Sequence, residues 1–203
     1  MAVNHFIHHM GILVSLLFLF PLISWGKTLD EPDDSLPIVN ITGMVGFGQD
    51  TISRQDIDII VVHTNYYADI DTFNTTGCIL QLLRYDVAPH YMITRDNKIL
   101  YMVNEDLIAW HAGKSRLPGT DRDSLNAFSI GIEIIAHPDA PPTRSQCDLL
   151  VRLICDIRKR HPIRYLMRHS DISPGRKTDP WNINWQEICE CVERKCGKII
   201  YIK

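Results

Sequence analysis

Positive charge is the first thing this sequence lacks. Its 203 residues carry 21 Lys and Arg against 24 Asp and Glu, a formal charge of −3, where a nucleic-acid binder needs a strongly basic surface. The apolar run Gly11–Trp25 (GILVSLLFLFPLISW) is about fifteen residues long, short of the about 20 that a membrane-spanning helix takes. No Cys lies near its end, which argues against a bacterial lipoprotein anchor, and no internal repeat or low-complexity tract is visible, which sets repeat architectures aside. With 45% apolar and 22% charged residues the rest is an ordinary globular composition. A chain of this length buries roughly 70% of its unfolded surface, so a metal site here needs a functional explanation and not a structural one.

The apolar run leads into the small residues Ser24 and Gly26, and residues 1–26 read as a secretory signal peptide. The absence of Lys and Arg from Met1–Met10 keeps an uncleaved anchor open as the alternative. Removal of the segment predicts a secreted or periplasmic protein with no stable membrane association. The His5, His8 and His9 cluster falls in this segment and is not read as a site. All six cysteines (Cys78, Cys147, Cys155, Cys189, Cys191, Cys196) lie beyond it, and an even count in an exported chain is compatible with disulfides, in any of fifteen connectivities. Three of them crowd the C-terminus, so one bridge is expected to tie that end down; Cys189-x-Cys191 lacks the spacing of a structural zinc cluster.

Lys27–Arg54, rich in Pro, Gly, Asp and Ser, reads as a loop-like lead-in, and residues 55–203 as one domain ending in a Cys-containing helix. Ile57–His63 (IDIIVVH) has the continuous β-branched pattern of a buried strand ending on a histidine. A helix is expected over Phe73–Tyr85, a hairpin from His90–Thr94 and Ile99–Val103 about Arg95-Asp96-Asn97-Lys98, a surface loop over Trp110–Asn126, and a strand at Ser129–Ile135 (SIGIEII). Thr143 and Gln146 stand in capping-box spacing before Cys147, Leu150, Ile154 and Ile157, which step by three and four along one helical face. Arg158, Lys159 and Arg160 read as a solvated helix end suited to the dipole. A final helix is expected over Trp185–Lys195. Strands interleaved with helices indicate an α/β or α+β single domain. Asn40-Ile41-Thr42 and Asn74-Thr75-Thr76 match the N-glycosylation pattern, which matters in a eukaryotic source.

Three residues of metal-ligand type stand where a strand gives way to a loop: His63, His169 and, ten residues on, Asp179. Two imidazoles and a carboxylate, with a fourth position open to water, form one recurring catalytic zinc set. Each also has a bland reading, since a strand-end His is commonly structural and Asp179-Pro180 is a good turn signal.

The motifs VVHTN, PHYMI, AWHAG, SIGIEI and HSDISPGRKTDPW, in this order over Ile57 to Trp181, resemble the zinc-dependent N-acetylmuramoyl-L-alanine amidases of the type 2 family. The resemblance implies a central mixed sheet flanked by helices, with a site in a surface cleft where His63, His169 and Asp179 hold Zn²⁺. It further implies Glu133 as general base and Lys177 as the group that stabilises the transition state. Branches of the family with Cys at the third ligand position carry Tyr before the histidine of PHYMI; Asp179 and Pro89 stand here, which places the chain on the AmpD-like side. The chemistry fits independently: an amide is a poor electrophile, zinc lowers the pKa of water toward about 7, a carboxylate can take the proton, and an ammonium can stabilise the oxyanion. Asp171 is read as a turn residue or an orienter of the ligand loop. Asn65, His90, Trp110, His111 and Asn126 are candidates to line the groove for sugar and stem peptide, the substrate being peptidoglycan or a muropeptide. The rival is a non-catalytic peptidoglycan-recognition protein, which would have little reason to keep His63, His169, Asp179, Glu133 and Lys177 together.

Overall fold

The computed structural model describes residues 35–44, 54 and 56–203; the expected signal segment and the His5, His8 and His9 cluster lie outside them. Six strands form one mixed sheet: β1 (Ile38–Asn40), β2 (Ile59–Asn65), β3 (Tyr91–Ile93), β4 (Ile99–Tyr101), β5 (Ser129–Ile135) and β6 (Tyr165–Arg168), in the order β1-β4-β3-β5-β2-β6. Only β3 and β4, the expected hairpin, run antiparallel. Among the described residues four α-helices, α1 (Thr75–Arg84), α2 (Arg144–Arg160), α3 (His169–Ile172) and α4 (Trp185–Cys196), and a 3-10 turn at Leu125–Phe128 complete the fold. Among the described residues no helix is long and apolar enough to cross a membrane.

The Ile- and Val-rich runs of β2 and β5 are buried along their length, as parallel strands covered on both faces must be. Alternation sends Ile60, Val62, Ile130, Ile132 and Ile134 to one face, packed on Leu150, Ile154 and Ile157 of α2 and Ile188 and Val192 of α4. The odd-numbered residues take the opposite face, where Ile59, Val61 and Met167 meet Leu117, Leu125 and Ile172. Helix α2 starts at the expected capping box, the Thr143 hydroxyl accepting from Gln146 N at 3.2 Å. Gln146 then reaches inward, its amide donating to the Ile135 carbonyl at 3.0 Å. Cys155 on α2 and Cys196 at the end of α4 form a disulfide, the bridge expected at the C-terminus; Cys78, Cys147, Cys189 and Cys191 are free thiols.

Three expectations change. Ile38–Asn40, read as loop, pairs with β4 as an edge strand; its side chains are all exposed, so no apolar alternation marks it. The 110–126 segment is not merely a surface loop, because Ala112, Leu117 and Leu125 are fully buried and cover the odd-numbered face. The basic end of α2 is more than a solvated helix end: Lys159 stays exposed, but Arg158 donates to the carbonyls of Gly197 and Lys198, and Arg160, itself partly exposed, pairs with Glu105 at 2.9 Å.

Glu105 is buried and accepts from Tyr91 Oη (2.7 Å), Arg160 (2.9 and 3.1 Å) and His161 Nε2 (2.8 Å). Burial opposes its ionisation, but the bonds from Arg160, Tyr91 and His161 outweigh it and hold the carboxyl at about 2. A folded-state pKa below the unfolded one contributes stability that is complete above the unfolded value, about 4.5, and lost as pH falls toward 2. Glu105→Gln is therefore expected to cost about 2 kcal/mol at neutral pH, less than a fully buried pair because Arg160 is partly exposed. It should also flatten the acid side of the stability profile between about pH 4.5 and 2; denaturant melts of both proteins across that window check the prediction.

Candidate metal centre and its cleft

Parallel register puts His63 directly opposite Glu133, and both point to the odd-numbered face of the sheet. His63 does not end its strand: β2 continues through Thr64 to Asn65, because pairing with β5 runs on to Ile135. On the far side β6 pairs with β2, and His169 follows it as the first residue of α3. Asp171 accepts from the Arg168 backbone N–H at 2.9 Å and from its guanidinium at 3.0 Å, so the turn residue fixes the chain immediately before His169. The loop after α3 returns to the same place, Ser170 N donating to the Asp179 carbonyl at 2.9 Å.

Three donor atoms converge there. His63 Nδ1 lies 2.9 Å from His169 Nδ1, and Asp179 Oδ2 lies 3.1 Å from the second and 3.6 Å from the first. All three residues are buried. His169 Nε2 faces the Ala112 carbonyl at 3.3 Å, which can only accept, so Nε2 carries the proton and Nδ1 presents a lone pair to the cluster. Lone pairs and a carboxylate held this close away from water need a positive charge among them, a proton or a metal ion. Burial, reinforced by neighbouring His169, pushes the His63 imidazole down to about 4, which disfavours the proton. Burial also opposes the Asp179 charge, but the two imidazoles outweigh it and keep the carboxyl below its usual range. His63, His169 and Asp179 thus form a group that fits a metal ion.

His169 and Asp179 open into a cleft of about 570 Å³ that is also lined by Asn65, Trp110, Glu133 and Lys177. Glu133 Oε2 is buried and has no hydrogen-bond partner among the described residues. Burial, with Asp179 adding to it, pushes the Glu133 carboxyl well above its usual value, and the Lys177 charge opposes this. Asn65 is similarly poised, both side-chain polar atoms buried and unpartnered among the described residues. Trp110 is 37% exposed at the rim.

The other groove candidates do different work. His90 is fully buried, its Nδ1 accepting from Gly131 N at 3.0 Å and its Nε2 meeting the Leu107 carbonyl at 3.1 Å, which leaves no ring nitrogen for a substrate. Asn126 turns its oxygen to the backbone N–H groups of His111 (3.2 Å) and Ala112 (2.8 Å). His111 borders the cleft, yet its Nδ1 lies 3.0 Å from His63 Nε2 and its Nε2 lies 3.2 Å from Ser129 Oγ. Conversely, Tyr66, Arg176 and Trp181 line the cleft and were not singled out from the sequence. Trp181 closes the HSDISPGRKTDPW motif and Tyr66 follows Asn65, so their place beside candidate residues was the available signal.

Residues 53–182 match the family described as N-acetylmuramoyl-L-alanine amidase. The 1,6-anhydro-N-acetylmuramyl-L-alanine amidase AmpD of Enterobacter cloacae is 41% identical over 91 residues, 44% of this chain and 48% of that protein; the chain thus spans about half its length. AmpD of Escherichia coli K12 is 38% identical over 152 residues, 74% of this chain and 79% of that one. Among solved structures, AmiD from E. coli in complex with anhydro-N-acetylmuramic acid-L-Ala-D-gamma-Glu-L-Lys superposes with a TM-score of 0.57 at 28% identity, covering 71% of this chain and 60% of that chain.

The imidazole of His111 sits against Gly131 of β5, where an added Cβ would overlap the ring, whereas one at Gly43 would meet nothing within 4 Å. Gly131→Ala is expected to destabilise the fold by about 1–3 kcal/mol through overpacking, and Gly43→Ala to stay within about 0.5 kcal/mol. Denaturant melts give both values, and a shift of the His111 ring signals in Gly131→Ala alone locates the strain.

Proposed function

The chain belongs to the N-acetylmuramoyl-L-alanine amidase family, and on that premise we propose that it is a zinc-dependent hydrolase of the amide between the lactyl group of N-acetylmuramic acid and L-alanine. The observation that carries the proposal is the buried convergence of His63, His169 and Asp179, the last two lining one cleft with Glu133 and Lys177. Two imidazoles and one carboxylate are a zinc-type donor set, borderline between the soft and the all-oxygen sites. Held there, zinc would supply Lewis acidity that makes water nucleophilic near neutral pH.

The remaining chemistry belongs to side chains of this protein. Glu133, its carboxyl driven upward by burial, is a stronger base than an exposed carboxylate; it takes the proton of the attacking water and returns it to the departing amine of L-alanine. Lys177, whose charge acts on both Glu133 and His63, faces the oxyanion that forms as the amide carbonyl is attacked. Asn65 presents a donor and an acceptor that are unpartnered among the described residues, the pair needed to hold a peptide or N-acetyl amide. Trp110, Trp181 and Tyr66 offer flat faces suited to a sugar ring.

The substrate class follows that of the relatives, for which anhydro-muropeptides are named. Export supports a wall or wall-fragment substrate outside the cytosol: the apolar run Gly11–Trp25 has signal-peptide length, and the Cys155–Cys196 bridge suits an oxidising compartment.

Incubation with defined muropeptides, followed by mass spectrometry, is expected to release free stem peptide, to stop on chelation and to resume when zinc is restored. Glu133→Gln should retain one equivalent of zinc while turnover falls about 10²–10⁴-fold. His169→Ala should lose metal and activity together, and Lys177→Met should lose about 10²–10³ in kcat. Retained binding of muropeptide without release in any condition would replace the enzyme by a recognition protein, and near-normal turnover of Glu133→Gln would remove the base assignment.

A further inference from the structure

We propose that the His111–Ala112 dipeptide, clamped by Asn126, is the outer frame that orients both imidazoles of the metal centre, making His111 and Asn126 positioning residues. The proposal rests on the metal-centre reading above and adds to it an account of what sets the two histidines' tautomers.

The hydrogen-bond chain behind His63 can run in one direction only. The Ser129 hydroxyl donates to the Leu125 carbonyl at 2.7 Å, so its oxygen is left to accept from His111 Nε2–H at 3.2 Å. A neutral imidazole protonated at Nε2 is bare at Nδ1. His111 Nδ1 therefore accepts from His63 Nε2–H at 3.0 Å, and His63 presents its Nδ1 lone pair to His169 and Asp179. The next residue does the same for the second imidazole, the Ala112 carbonyl accepting from His169 Nε2–H at 3.3 Å. Two adjacent residues thus fix both rings in the tautomer that leaves Nδ1 free for a cation, as outer partners of metal-binding histidines do.

The dipeptide is itself held from three sides. Asn126 Oδ1 accepts from both of its backbone N–H groups, at 3.2 and 2.8 Å. Arg176 Nη2 donates to the Ala112 carbonyl at 2.9 Å. Gly131 leaves the space in which the His111 ring lies edge-on to the His63 ring, with centroids 5.1 Å apart. Both ring nitrogens of His111 and the side-chain oxygen of Asn126 are engaged in this frame.

The test measures zinc affinity by competition with a chromophoric chelator on metal-stripped, reloaded protein, with the visible spectrum of the cobalt form as a second readout. His111→Phe keeps a ring beside Gly131 and removes the acceptor; His111→Asn keeps an oxygen where Nδ1 was. Asn126→Ala removes the clamp and Asn126→Asp keeps its oxygen. His111→Phe and Asn126→Ala are expected to bind zinc about 10–100-fold more weakly than wild type with an altered cobalt spectrum, and His111→Asn and Asn126→Asp to recover to within about threefold. Metal-free melting midpoints of all four serve as the fold control. Wild-type affinity and spectrum in His111→Phe and Asn126→Ala would overturn the frame. So would equal losses in the rescuing variants accompanied by lowered metal-free midpoints, which mark a packing role. A wild-type protein that takes up no zinc would instead overturn the metal-centre reading itself.

Discussion

Two imidazole lone pairs and a carboxylate gathered within a few ångströms, away from water, repel one another unless a cation sits among them, and the fold is organised around meeting that demand. β2 supplies His63 from the middle of the sheet, β6 delivers His169 at its end, and the loop after α3 brings back Asp179, its carbonyl pinned to Ser170 N. None of the three is held by a flexible terminus. The parallel β2–β5 register sets Glu133 opposite His63, so the proposed base is placed by the same backbone ladder that places the first ligand.

Two buried glutamates show how the protein separates stability from chemistry. Glu105 is surrounded by Tyr91, Arg160 and His161, and their hydrogen bonds overcome burial and keep it ionised. Glu133 is equally buried, but its Oε2 has no partner among the described residues, and burial with Asp179 nearby drives its carboxyl upward. A fully satisfied carboxylate is a poor base because its lone pairs are already engaged. An unsatisfied one costs stability, and that cost is tolerated where a proton must later be taken up.

How much of this could be read from the residues depended on whether the signal was local. The helix of Phe73–Tyr85, the Thr143–Gln146 cap and the hairpin about Asp96 depend on short-range pattern, and α1, α2, β3 and β4 form close to where the pattern placed them. The type 2 amidase motifs singled out His63, His169 and Asp179, which the fold brings together. The edge strand Ile38–Asn40 was illegible because its exposed side chains carry no alternation, and its place is set by backbone pairing with β4. His90, His111 and Asn126 are groove candidates by sequence because aromatic and polar groups suit a glycan-bearing substrate, and of the three only His111 borders the cleft. Their actual partners, Gly131, Ser129, His63 and the 111–112 backbone, are 14 to 48 residues away or supplied by main chain, and no sequence pattern announces such a partner.

The two faces of the sheet are covered in different ways, and the difference has a chemical reason. On one face α2 and α4 press Leu, Ile and Val side chains against the strands, and their carbonyls are consumed by their own helical bonds. The interior of a helix laid over His169 would have no spare main-chain carbonyl to offer its outward nitrogen, which here meets the Ala112 carbonyl. The 110–128 segment, irregular up to a 3-10 turn at Leu125–Phe128, still buries Ala112, Leu117 and Leu125, so the apolar face is covered, yet its Ala112 carbonyl accepts from His169 as well as Arg176 and its Leu125 carbonyl from Ser129. Irregular backbone over the site thus serves both imidazoles at once, the Ala112 carbonyl receiving His169 Nε2–H directly and the neighbouring His111 ring receiving His63 Nε2–H.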